Sequence, residues 1–258
     1  MSLLLFKVLA AAIILITSLV AGVRTLYKCR HNPNYHLLEL GEALAGGVFL
    51  GIAFFHMLPD AQADLYQAYG NLSYPYANLL CVLGFVLLLF LEKVILHVGE
   101  ADTQNVQQKT LVPYILPIVL SVHALTEGAA LGINTTLADI TIIFIAIIIH
   151  KGSESFALAA SLGRSHLPLA RSMPVFLGWA LMSPLGVLLG SILADHLQSH
   201  RGLVMAAIFN ALAAGTFLYI ATLHKTSHLC RSKHTDHFVE FLLLLAGLTL
   251  MAVVEIWL

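Results

Sequence analysis

Charge is scarce in this chain. Its 258 residues hold 13 Lys and Arg against 14 Asp and Glu, only 10% of the total, where a soluble domain carries about 25%. That shortage excludes an ordinary water-facing globule. The net charge of −1 says nothing about a nucleic-acid partner, and with no basic patch in the sequence none is expected. Cysteine is scarce as well. There are three, an odd number without paired spacing, so no disulfide framework is expected: Cys29 and Cys230 fall in inner loops and Cys81 in an apolar run. No long polar stretch leaves room for a second, soluble domain.

What the chain has instead is apolar runs of about 20 residues, the length that crosses a bilayer core. Eight are counted: Leu3–Val23, Leu37–Leu58, Tyr76–His97, Leu111–Ile133, Ile140–Leu162, Met173–Ala194, Gly202–Thr222 and Phe238–Trp257. The expected fold is an all-α integral membrane protein, one bundle of eight transmembrane helices forming a single domain over residues 1–258. The first run is expected to be retained as a span. Only Lys7 lies on its N-terminal side, and the basic cluster Arg24, Lys28, Arg30 follows it, the reverse of a signal peptide's charge order.

That charge order also sets a direction. With the N-terminus outside, the inner loops hold Arg24, Lys28, Arg30, Lys109, Arg164, Arg171, Lys225, Arg231 and Lys233, and the outer loops hold Arg201. The sequons Asn71-Leu-Ser73 and Asn134-Thr-Thr136 fall outside in the same arrangement. Eight spans then return the C-terminus to the outside, giving a multi-pass protein with both termini extracellular, expected in the plasma membrane.

Against this apolar background stand two pairs of metal-ligand side chains, His123 with Glu127 and His150 with Glu154. Residues four apart share one helix face. An ionisable group at mid-bilayer costs roughly 2.5–3.5 kcal/mol on insertion scales, so such groups mark function. The loop near Asn134–Asp139 is short, so the fourth and fifth spans form an antiparallel hairpin. Counting from its midpoint puts His123 and His150 both roughly 20 Å deep at ~1.5 Å per residue. The four side chains then make a site for a divalent ion, and the imidazole and carboxylate donors suit zinc, iron or manganese. Pro113 and Pro117 free backbone carbonyls in the fourth span, and Gly128, Gly132 and Gly152 allow close helix approach. Lys151, beside His150, needs a carboxylate partner in the membrane. It is read as an ion pair with Glu127 or Glu154, as a fixed charge replacing a second cation, or as a proton relay.

These residues resemble the ZIP (Zrt/Irt-like) family of metal-ion transporters. The resemblance rests on His123-Ala-Leu-Thr-Glu127-Gly-Ala-Ala-Leu-Gly132 and His150-Lys-Gly-Ser-Glu154. It extends to Gly46-Gly-Val-Phe-Leu-Gly-Ile-Ala-Phe-Phe-His56-Met-Leu-Pro-Asp60, Ser183-Pro-Leu-Gly-Val-Leu-Leu-Gly190 and Ala214-Gly-Thr-Phe-Leu-Tyr219, covering nearly the whole chain. It implies import of zinc, with iron, manganese and cadmium as alternatives, by an elevator-like or rocking motion of one helix set against another. It places the metal on His123, Glu127, His150 and Glu154. This chain departs from the family's two-metal pattern, having Ala124, Lys151 and Ser183 where that pattern has Asn, Asp and Glu. A single-metal site is therefore expected, as in the animal plasma-membrane branch. The family's histidine-rich loop is missing from Val98–Lys109, and His224 stands where a Glu is common.

Other polar residues have two readings each. His56, Asp60 and Asp64 at the outer end of the second span gather cations at the mouth, or mark a helix-end turn at Leu58-Pro59-Asp60. His224 and His228, with Cys230, His234 and His237, receive the departing ion or sense its level, or sit in a solvated loop. Glu39, Glu42, Glu92 and Glu240 line an exit or pair with cations. Glu255 and Trp257 are read as interface residues. The expected partners are a divalent metal ion as cargo and the bilayer, with a homodimer as the candidate assembly and no prosthetic group. The competing classes are an intramembrane zinc-dependent hydrolase, whose His-Glu-x-x-His signature the spans lack, and a membrane metal sensor.

Overall fold

A computed structural model of the protein describes residues 2–31, 36–90, 112–165, 167–193, 199–224 and 237–256. Every regular element among them is helical. Seven helical stretches are long and apolar enough to cross a membrane, and an eighth, Tyr76–Phe90, is shorter. In chain order they are α1 (Leu3–His31), α2 (His36–Gly51), a π-helical stretch (Ile52–Met57), α3 (Leu58–Tyr69), α4 (Tyr76–Phe90), α5 (Val112–Ile133) and α6 (Leu137–Arg164). They continue with α7 (Leu169–Ala180), α8 (Met182–Ile192), α9 (His200–Tyr219), a second π stretch (Ile220–His224) and α10 (His237–Glu255). Large aliphatic and aromatic side chains cover the outer surface, as lipid requires. The chain is a multi-pass integral membrane protein.

Several boundaries differ from the expected spans. The second does not end at Leu58; it runs on to Tyr69. Pro59 falls in the first turn of α3, and the wider π turns before it absorb the ring, with the Leu58 N–H reaching back to the Ala53 carbonyl. The helix-end turn at Leu58-Pro59-Asp60 is therefore absent. The sixth span is two helices meeting at Leu181, with Pro184 in the first turn of α8. Pro117, by contrast, sits within a continuous α5. The first span continues to His31, so Arg24, Lys28, Arg30 and Cys29 lie on its last turns and not in a loop. The Arg30 guanidinium donates to the carbonyls of Ser165 (3.0 Å) and Leu167 (2.6 Å), just past the end of α6, where a cation suits the helix dipole. The α5–α6 loop is shorter than expected. Thr136 caps α6 by accepting from the Asp139 N–H at 3.2 Å, so Leu137–Asp139 are already helical.

The helices pack as two sets. In the first, α5 lies along α8 and α1 along α6, with α7 against α5, α6 and α1. In the second, α2 lies along α10, and α9 along α4 and α3. The sets meet chiefly where α5 touches α9 and α2 touches α6. Glycine stitches each set internally. A Cβ on Gly128 would lie 2.2 Å from the Ser183 carbonyl oxygen, and one on Gly186 would lie 2.2 Å from that of Leu125, so α5 and α8 touch backbone to backbone. Gly47 and Gly247 do the same for α2 and α10, and Gly84 and Gly215 for α4 and α9. Gly152, expected to serve such an approach, has nothing within 4 Å of its Cβ position.

A test follows for the first set. Gly186→Ala must push apart two backbones and should destabilise by on the order of 1–3 kcal/mol. Gly178→Ala has open space at its Cβ position and should gain a little from helix propensity. Thermal unfolding of the two variants in detergent, followed by loss of monodisperse protein, should separate them in that order.

Candidate metal centre

The short loop forces α5 and α6 into an antiparallel pair, and the four expected ligands converge. One donor atom from each of His123, Glu127, His150 and Glu154 lies within 4.8 Å of the others, and all four residues are buried. The pairing is crossed. His150 Nε2 on α6 meets Glu127 Oε1 on α5 in a very short contact. His123 Nε2 on α5 lies 3.1 Å from Glu154 Oε1 on α6. Each histidine thus faces the glutamate of the other helix, and the level partners are His123 with Glu154 and Glu127 with His150. The two histidines are offset by about one turn, not level as the count from the loop midpoint implied. The early start of α6 and its own packing set that register. Their rings are 6.3 Å apart, within reach of one shared ion.

Lys151 has no exposed surface and bonds to both carboxylates, 3.0 Å from Glu127 Oε2 and 2.9 Å from Glu154 Oε2. Its ammonium also lies 4.9 Å from the centre of the Trp179 ring on α7. The consequence is a division of labour within each carboxylate. Both Oε2 atoms are held by the lysine, and both Oε1 atoms are turned toward the imidazoles. Several atoms of the cluster carry no hydrogen bond: both nitrogens of His123, His150 Nδ1 and Glu154 Oε1. His123 Nε2 and Glu154 Oε1 are near in distance but lack the angle for a bond. A buried polar atom without a partner costs about 1–3 kcal/mol, so groups left this way are retained for something other than stability. Four donors at zinc–ligand distances of about 2.1 Å would sit roughly 3.4 Å from one another in a tetrahedron, a modest rearrangement of this cluster.

Ala124 is buried and offers no donor, and Ser183 offers only a buried hydroxyl without a partner, its carbonyl being pressed against Gly128. From the second helix set, Phe217 meets the His123 ring edge-to-face at 4.9 Å between centres. Trp179 and Phe217 were not legible as site residues, because nothing in their local sequence says which helix they will face.

The other candidates separate. His56, Asp60 and Glu255 come together: His56 Nδ1 is 3.6 Å from Asp60 Oδ2 and 3.4 Å from Glu255 Oε1. Glu255 is thus a partner of His56. Asp64, one turn further along α3, does not join them. Glu42 pairs with Arg164 across the two helix sets, and Glu240 is buried. His224 ends the second π stretch, and its side chain lies outside the described structure. His228, Cys230, His234, Glu92 and Trp257 also lie outside the described residues. The sequon Asn71 is in an exposed turn, whereas the Asn134 amide donates to the Ala130 carbonyl at 2.8 Å.

The family model described as ZIP Zinc transporter matches residues 4–110 and 97–255. Zinc transporter ZIP1 of Takifugu rubripes is 30% identical, with 84% of each chain covered. Zinc transporter 11 of Arabidopsis thaliana is 30% identical over 99% of this chain and 86% of its own. Zinc transporter ZIP2 of Homo sapiens is 28% identical over 86% of each.

Proposed function

The chain belongs to the ZIP zinc transporter family, and from that membership we propose that it carries divalent metal ions, zinc first, into the cytosol. One observation carries the reading: Lys151 holds the Oε2 atoms of Glu127 and Glu154 and leaves their Oε1 atoms beside two buried imidazoles. The cargo is bound by His123, Glu127, His150 and Glu154 as a single ion. Lysine supplies the charge that a second ion would bring. With neutral imidazoles the two carboxylates and the lysine sum to −1, so a bound dication leaves a net charge of +1. That residual is small enough to bury yet does not trap the ion, which a transported substrate requires.

The direction comes from the loop charges. Nine Lys and Arg on one side against one on the other support an orientation with both termini outside and release into the cytosol, and the plasma membrane is the proposed location. The motion is a displacement of the first helix set, which holds the whole cargo site, against the second. Backbone-to-backbone contacts through glycine make each set rigid, whereas side chains such as Phe217 against His123 line the boundary between them. The donor set also admits iron, manganese and cadmium, so zinc preference is a matter of degree.

Purified protein in liposomes loaded with a zinc-sensing dye tests the reading. External zinc should produce a saturable dye response well above that of empty liposomes. A response equal to the empty control would refute transport, and competition by iron, manganese and cadmium would rank the cargoes.

A further inference from the structure

The chain holds a second ligand cluster that the central site does not use. His56 lies in the π stretch, Asp60 in the first turn of α3, and Glu255 in the last turn of α10. Their three donor atoms are within 4.8 Å of one another. The π turns ahead of Pro59 set the azimuth of His56 relative to Asp60, a use to which π-bulges are commonly put at functional sites. Three features mark the cluster as more than a helix surface.

The first is charge. The central carboxylates have Lys151, but no lysine or arginine among the described residues is paired with Asp60 or Glu255. One imidazole thus faces two carboxylates without a fixed cation. The second is an orphan: Glu255 Oε2 is buried and makes no hydrogen bond. The third is the neighbour. The His150 ring is 6.5 Å from the His56 ring and 6.3 Å from the His123 ring, so it stands between the two clusters. His150 is 1% exposed; its Nε2 contacts Glu127, and its Nδ1, across the ring, has no partner.

We infer that His56, Asp60 and Glu255 form a second divalent-metal site, from which an ion passes to His150. The binding claim stands on the cluster alone; the passage to His150 rests on the transport reading. The donor types, one imidazole and two carboxylates, suit zinc, iron or manganese over soft ions. Three protein ligands leave positions for water, so the ion is held less completely than by the four central donors and exchanges readily. The Asp60 side chain is 47% exposed, which gives the ion a way in from solvent. The cluster is also divided from the central site by the boundary between helix sets. His56, Asp60 and Glu255 are on the second set, and the four central ligands are on the first. A site on each side of a sliding boundary is an arrangement for handing over cargo.

The test is zinc binding to the full chain in nanodiscs, by titration calorimetry, with uptake kinetics alongside. The parent should bind two ions per chain. His56→Ala with Glu255→Gln should bind one, as should His123→Ala with Glu154→Gln, the remaining ion being the weaker one in the second case. Asp60→Asn, which keeps an oxygen donor but loses the charge, should weaken only the second ion and raise the KM for uptake by about 100-fold, the top of the range for groups that support a metal ligand. One ion in the parent, or two in the His56→Ala and Glu255→Gln variant, would overturn the proposal. Loss of transport with two ions still bound would sink the transport reading instead and leave the second site standing.

Discussion

Replacing Glu127 with alanine should reduce zinc uptake to the background of cells that lack the protein, while the amount at the surface stays the same. Glu127 contacts both His150 and Lys151. Its removal takes away one of four donors and one of the two negative charges, so the cluster changes from net −1 to neutral. Altering a group that merely supports a metal ligand costs about 10–100-fold in affinity, and losing an anionic ligand should cost at least the top of that range. The fold should hold, because Lys151 keeps its 2.9 Å bond to Glu154 and its place over Trp179. Radiotracer zinc uptake, normalised to biotinylated surface protein, is the measurement. Uptake at half the parent rate or better would mean that the ion travels by another path. The same assay on Glu127→Gln separates charge from bulk: the amide keeps the shape and one oxygen, and should still fail.

The reach of sequence reasoning here followed the range of the physics. The His123/Glu127 and His150/Glu154 pairs are local, four residues apart on a helix, and the α5–α6 loop is short, so their convergence could be counted out along the chain. The apolar runs were visible for the same reason, since the bilayer acts on each helix separately. Hydropathy, however, reports composition and not hydrogen bonding. It gave no sign that the second span continues through Pro59, because the compensating π turns depend on backbone geometry. Nor did it show the offset of His123 from His150, which depends on where α6 begins and how it packs. Glu255 is 199 residues from His56, and no local rule joins them. Trp179 likewise reaches Lys151 only through the packing of α7 on α6. A glycine near the site was no guide either: Gly128 is pressed on α8, while Gly152 has nothing within 4 Å of its Cβ position.

Lys151→Ala should lower the stability of the metal-free protein more than any other single change at the site, and zinc should restore most of the loss. Glu154 has no exposed surface and Glu127 little, and the lysine ammonium is the group that bridges their Oε2 atoms. Without it two carboxylates face each other in a medium that cannot solvate them. Removing one partner of such a buried set costs about 3–5 kcal/mol. A bound zinc ion supplies the missing charge from the Oε1 side. Zinc stabilises the parent as well, so the rescue is the difference in affinity: a Kd a hundredfold tighter for the doubly anionic variant, at about 1.4 kcal/mol per tenfold, recovers about 2.7 kcal/mol of that deficit. Thermal unfolding in detergent should therefore show a large drop for Lys151→Ala in chelator and a much smaller one in saturating zinc. A second variant isolates the cause. Lys151→Ala with Glu154→Gln removes one of the opposed charges, and it should recover stability in chelator without recovering transport. If Lys151→Ala unfolds at the parent temperature in chelator, the carboxylates are balanced by something other than the lysine. The claim that one residue stands in for a second metal ion would then fail, even with the four central ligands in place.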